Sequence, residues 1–185
     1  MGIEITTRSI APGGAIGVQT QVSGYYYASP VGVTTGTATA TLNDWQALPF
    51  WVPAAANFDR IAVEVTTGIA SGVVRLGVVG DTGGMFPGPL VLDAGTVDAS
   101  TNGLKEITID LTLNPGVYWL TNCSQVAAPG LRIFTLGSQM IGTTAPSSSS
   151  ITIGYKMASV TGAFPETYTP SGINSSSVRV FLRKS

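Results

Sequence analysis

The pattern of apolar and polar positions is β-like along most of the chain. Glu106–Leu113 is the clearest case: Ile107, Ile109, Leu111 and Leu113 share one face, while Glu106, Thr108, Asp110 and Thr112 take the other. Strict alternation of this kind predicts a strand with one face buried. Phe58–Val65 also alternates, with Phe58, Ile61, Val63 and Val65 on one face after a slip at the start. Val73–Val79 sets Val74, Leu76 and Val78 against Arg75, Gly77 and Val79. Further short runs occur at Thr37–Val52, Leu90–Val97, Val117–Leu120, Leu131–Leu136, Ile151–Met157 and Val178–Leu182.

Turn signals separate the runs. Gly80–Pro89 is a turn-rich loop, Asn114-Pro115-Gly116 is a strong turn, and Ser147–Ser150 is a serine tract in a loop. No window shows a 3.6-residue apolar stripe, and no repeat of fixed period is visible. About eight to nine strands at this spacing predict an all-β sandwich or barrel. Residues 1–24 differ: their apolar residues are isolated and Pro12-Gly13-Gly14 interrupts them. They read as an extended arm, with the sandwich occupying 25–185.

Composition narrows the setting. The 185 residues include 44% hydrophobic but only 10% charged residues, against a typical charged share of about 25%. Ser, Thr, Asn and Gly supply the polarity, which suits sheet faces and close packing between copies. Net charge is −1 and the nine basic residues are scattered, so no basic stripe for nucleic acid forms. Arg179, Arg183 and Lys184 gather at the C-terminus and read as a solvated tail. No stretch approaches the roughly 20 apolar residues of a membrane span. No basic, apolar-cored leader is visible at the start. Met1–Thr6 meets only the loose pattern for N-myristoylation. Cys123 is the sole cysteine, so no disulfide forms within the chain.

Candidate chemistry is sparse. The chain has no histidine, which removes Ser-His-Asp and Cys-His nucleophiles and His-ligated metals. Gly80-Asp81-Thr82-Gly83-Gly84 resembles the nucleophile loop of trypsin-like proteases, but threonine stands in the serine's place and no base accompanies it. A lone Cys123 within an apolar run reads as core. Glu64, Glu106 and Asp110 read as surface charge on strands rather than a glycosidase pair. Asp81, Asp93 and Asp98 offer oxygen ligands without any known Ca²⁺ spacing. Trp51 and Trp119 are expected in the core, and Trp45, after Asn43-Asp44, at a rim. Asn122-Cys123-Ser124 and Asn174-Ser175-Ser176 match the glycosylation sequon. The expectation is therefore a protein without catalytic, cofactor or metal residues.

The runs Ala47–Pro53, Phe58–Val65, Val74–Val78, Leu92–Val97, Lys105–Ile109 and Leu113–Leu120 together resemble β-sandwich modules of tailed-bacteriophage structural proteins. Such modules occur in minor tail proteins, tail fibres and head appendages. The resemblance covers about residues 25–137 and the C-terminal strand, and its motifs are strand-and-turn patterns. It implies a jelly-roll-like antiparallel sandwich and a virion component acting through contacts with capsid or tail proteins. It further implies a homo-oligomer, a trimer for preference. The contact residues expected on this reading are Ile3, Ile5, Ile10, Ile16 and Val18 of the arm, Tyr25, Tyr26 and Tyr27 at its junction, and Met140 and Ile141 in a loop. A second reading is a carbohydrate-binding module that recognises a host glycan, for which exposed aromatics beside Asn or Asp on one sheet face would be the sign.

Overall fold

The computed structural model describes residues 21–137 and 153–185, and of Gly32, Val33, Leu136 and Gly137 it describes the backbone alone. Among these residues the protein is all-β, without a helix, and one of its two antiparallel sheets curls into a half-barrel. The strands are β1 (Tyr26–Ala28), β2 (Gly32–Thr39), β3 (Trp45–Val52), β4 (Ala56–Thr67), β5 (Val73–Asp81), β6 (Pro87–Asp98), β7 (Gly103–Leu113), β8 (Gly116–Gln125), β9 (Gly130–Gly137), β10 (Gly154–Met157), β11 (Gly172–Asn174), β12 (Ser177–Val178) and β13 (Val180–Lys184). The pattern of runs undercounts them for two reasons. The Thr37–Val52 run is two strands broken at Ala40–Asp44, and the Val178–Leu182 run is interrupted at Arg179. In addition, β1 and β11 are only three residues long.

The six-stranded sheet runs β11-β10-β3-β8-β5-β6. In the seven-stranded sheet β4 is the hub. It carries β7 on one side, and on the other β13 along residues 58–63 and β9 at Val65–Thr67. Beyond β13 lies β1, and β9 also pairs β2 and β12. Three of the ladders are nested. β3 pairs β8 from Gln46↔Asn122 to Val52↔Gly116, β4 pairs β7 from Ala56↔Leu113 to Val65↔Gly103, and β5 pairs β6 from Val73↔Asp98 to Asp81↔Pro87. Residues 45–125 are thus one long hairpin folded over on itself. Pairing of β5 with β8 closes the fold. The tip of the hairpin, Thr82–Phe86, is much shorter than the Gly80–Pro89 loop that composition suggests. Gly83 there takes a positive φ of 99°, which a glycine adopts without strain.

The main core lies between the sheets. Phe50, Phe58, Ile61, Val63, Leu76, Val78, Leu120, Leu131 and Leu182 are buried in it. The slip at the start of the Phe58–Val65 run is a bulge between Phe58 and Arg60 opposite β7. A second core covers the far face of the six-stranded sheet, where Trp45, Ala47, Val79, Trp119 and Cys123 meet Tyr155, Val160, Phe164 and Tyr168. Residues 158–171 form the strap that supplies the last three. β8 is therefore buried on both faces from Trp119 to Gln125, and its Val117–Leu120 run is continuously apolar where a one-sided strand would alternate.

Trp45 corrects the expectation of a rim position: it is fully buried, stacked on Phe164 at 4.3 Å and 9°. The neighbouring Asn43-Asp44 marks a turn at positive φ and says nothing about the far side of the strand, which the strap covers. Trp51 is only half-buried, whereas Trp119 is in the core as expected.

Candidate functional site

The outer face of the seven-stranded sheet is the most functionalised surface described. It forms because β4, β7 and β13 each alternate, sending Ile61, Val63, Leu111, Val180 and Leu182 inward and Arg60, Glu64, Glu106, Arg179, Phe181 and Arg183 outward. Two ion-paired clusters cross the strands. Arg183 grips Asp59 with Nε at 2.8 Å from Oδ1, holding that carboxyl below its ordinary range. Arg132 donates to Glu64 from Nε at 3.1 Å and from a terminal nitrogen at 2.8 Å, and Arg179 stands 3.7 Å away; Glu64 is held low mainly by Arg132. Arg179, Arg183 and Lys184 are thus no solvated tail. They sit in or beside β13, a paired inner strand, and Lys184 donates to the Gln21 carbonyl at 2.8 Å.

A shallow groove of about 430 Å³ runs across this face, lined by Tyr26, Glu64, Gly103, Leu104, Arg179 and Phe181. Its aromatic surface is already engaged. Tyr26 meets Phe181 edge-on at 6.3 Å and its hydroxyl donates to Glu106, which raises the Tyr26 pKa. The Arg179 guanidinium lies 4.7 Å from the Phe181 ring centre.

The three tyrosines do not form one patch. Strand alternation sends Tyr26 to the outer face and Tyr27 inward against the core, while Tyr25 stays exposed at 65%. The sheet's attachments reach back before Tyr25: Gln21 is buried and donates to the Trp51 carbonyl at 3.3 Å, and Gly24 N–H donates to Lys184. Ile3, Ile5, Ile10, Ile16, Val18, Met140 and Ile141 lie outside the described residues.

The other candidates resolve into structure. Asp81 accepts from Trp119 Nε1 at 3.0 Å and from Gly83 N–H at 2.7 Å, so the protease-like loop is a tied hairpin tip. Asp93 is penalised by burial, yet Phe164 N–H, Arg75 and Gly95 N–H outweigh that and hold its carboxyl low. Asp98 bonds Ser100. These three carboxylates serve separate partners, and no cluster of three metal-type ligands occurs among the described residues. Cys123 is fully buried, and burial pushes its thiol up to about 12, far from thiolate chemistry at neutral pH. Asn122, 3% exposed, and Asn174, 8% exposed, are closed to glycosylation.

Sequence reasoning missed the outer-face arginine–carboxylate lattice, since Asp59, Glu64, Arg132 and Arg183 come together only through β4–β9–β13 adjacency. It also missed the strap. Comparison with protein-family models, with curated proteins and with solved structures yields no match for this chain.

Proposed function

We propose that this chain is a non-enzymatic structural component of a tailed-phage virion, a head decoration, spike or tail-associated protein, built on a jelly-roll-like sandwich and working through protein–protein contacts. The three nested ladders support the finer fold reading, because a jelly roll is a long hairpin rolled so that its pairs stack in two sheets. The observation that carries the functional reading is the state of the two longest edge strands. Among the described residues β7, eleven residues long, pairs only with β4, while β6, twelve residues long, pairs with β5 and on its other side meets only the strap, at Pro89↔Thr167. Long open edges are points at which another chain adds.

A glycan-binding module is the second reading, favoured by the aromatic groove. It is the weaker one. Sugar stacking needs a free ring face, and those of Tyr26 and Phe181 are met by each other and by Arg179 and Arg183. The more exposed Tyr25 and Phe86, the latter at 49%, stand just before β1 and β6, which belong to different sheets.

The copies associate as a ring, with a homotrimer preferred, and residues 1–24 serve as the anchoring arm. Deleting that arm is expected to abolish incorporation into particles while far-ultraviolet dichroism stays β-type; full occupancy by the truncated protein would refute the assignment. Light scattering on the intact chain is expected to report about three subunits. A monomer, both free and in a particle map, favours the glycan module instead.

A further inference from the structure

The strap over the second core is one loop with its ends joined. Residues 158–171 connect β10 to β11, which pair at Lys156↔Gly172. At the base, Ser171 N–H donates to the Lys156 carbonyl at 2.9 Å, and Ala158 N–H donates to Ser171 Oγ at 3.1 Å. A compact loop tied at its base in this way can move as a body without breaking the ladder that holds it. Only Val160, Phe164 and Tyr168 of the strap are buried; its other residues are exposed, apart from the half-buried Pro170. The strap therefore has a single inner face, and its outer side meets solvent.

Its other attachments are scattered bonds rather than a ladder. Val160 N–H donates to the Asn43 carbonyl at 2.9 Å, and Tyr168 N–H donates to that of Gly88 at 2.8 Å. Leu90 N–H donates to the Glu166 carbonyl at 2.7 Å, and Phe164 N–H donates to Asp93. Gln125 Nε2 donates to the Gly162 carbonyl at 2.8 Å, and the Tyr168 hydroxyl donates to the Trp45 carbonyl at 2.6 Å. Releasing all of them leaves the pairing within both sheets intact, because the one bridge they form, Pro89↔Thr167, is isolated.

Closure also carries costs. Ser159 holds a φ of 64°, in the left-handed region that a serine occupies only under strain. Trp45 Nε1, Thr121 Oγ1 and Arg75 Nε are buried and have no hydrogen-bond partner among the described residues. All three lie beneath the strap. Trp45 and Arg75 pack against Phe164, and Thr121 shares its side of β8 with Trp119 and Cys123. Water that enters on opening satisfies these groups, whereas the closed strap leaves them unpaired. The main core stays covered throughout, since it lies on the opposite face of the six-stranded sheet. A unit held by three buried side chains, scattered bonds and a strained residue opens at a lower free energy than the whole fold. We propose that residues 158–171 are a lid. They swing off the six-stranded sheet as one body, about their joined ends at Ala158 and Ser171, and expose the Trp45–Trp119 layer while both sheets stay paired.

Cys123 reports the opening. It is the sole cysteine, it is fully buried, and its Sγ lies 3.5 Å from the Val160 carbonyl oxygen of the strap. The full wild-type chain is treated with dithiodipyridine in rising urea below the unfolding transition, and amide hydrogen exchange is followed over the same series. Labelling of Cys123 is expected to depend on urea far less steeply than global unfolding does, because opening the strap exposes much less surface. The amides of Val160, Phe164, Tyr168 and Leu90 are expected to exchange together with that same shallow slope, ahead of the amides of β4 and β8. Tyr168→Phe keeps the buried ring and deletes only the hydroxyl's bond to Trp45. It is expected to speed labelling about threefold to tenfold, with the slope unchanged. Labelling as steep in urea as global unfolding overturns the lid. So does shallow labelling that Tyr168→Phe leaves unchanged, and so do strap amides that exchange only with those of β4 and β8.

Discussion

At the scale of single residues, the strap over the second core hangs on a few contacts. Phe164 stacks on Trp45, lies under the Arg75 guanidinium at 5.8 Å, and donates its N–H to Asp93 at 3.0 Å. Phe164→Ala removes a buried ring and is expected to cost about 3–5 kcal/mol in urea unfolding. Asp93→Asn keeps the shape but strands Arg75 and is expected to cost about 1–3 kcal/mol. The sign of the pH effect follows from the direction of the shift. Asp93 has a folded pKa below that of an unfolded aspartate, about 3.9. Its contribution is complete above that value and is lost as pH falls through the folded pKa. The melting temperature of the wild type is expected to fall below about pH 4, and that of Asp93→Asn to fall less steeply. Equal slopes would show that Asp93 does not govern acid stability. None of this network is visible in sequence, because Asp93, Arg75 and Phe164 are far apart in the chain and carry no motif.

At the scale of elements, alternation was a good guide wherever one face of a strand is solvated. The β7 pattern and the Phe58–Arg60 bulge were both legible, since a shift in the apolar period is a shift in which face is buried. It was a poor guide for β8, which is buried on both faces; in β5 it placed Val74, Leu76 and Val78 together, as the core has them, but did not show that the strap also covers the face of Gly77 and Val79. Gly77 is there because a Cβ would come within 2.5 Å of the Leu92 carbonyl oxygen and 2.9 Å of Phe164. Gly77→Ala is therefore expected to destabilise by about 1–3 kcal/mol, where an open strand glycine would gain from the change. Thermal melts of the two proteins decide it.

At the scale of the whole molecule, the folded hairpin makes long-range pairing the rule, from Gln46↔Asn122 inward to Val65↔Gly103, and only the β5–β6 hairpin at its tip is local. Refolding is expected in the millisecond-to-second range typical of non-local β topologies, checked by stopped-flow fluorescence of the tryptophans. The tip at Gly83-Gly84 is exposed and held mainly by Asp81 and Thr82. Inserting about five Gly/Ser residues between those glycines lengthens a loop whose closure cost grows only slowly, by about 0.6 kcal/mol per doubling. A loss of no more than a few degrees in melting temperature is expected; a collapse of the fold would mean that the tip, not the ladders, sets the register.

What the sequence determined alone is the β class, the faces of the half-buried strands, the burial of Trp119 and Cys123, and the lack of any histidine-based chemistry. Each follows from local rules: side-chain period, turn residues and residue inventory. Tertiary structure decided the rest. Which ladders nest, which strand is buried twice, why Trp45 is core, and how four arginines and their carboxylates form a lattice on one face all depend on residues tens of positions apart meeting across strands. The edge of β7 that is unpaired among the described residues belongs to the same group, because a strand's sequence shows which face it buries but not whether a neighbour lies on both of its sides.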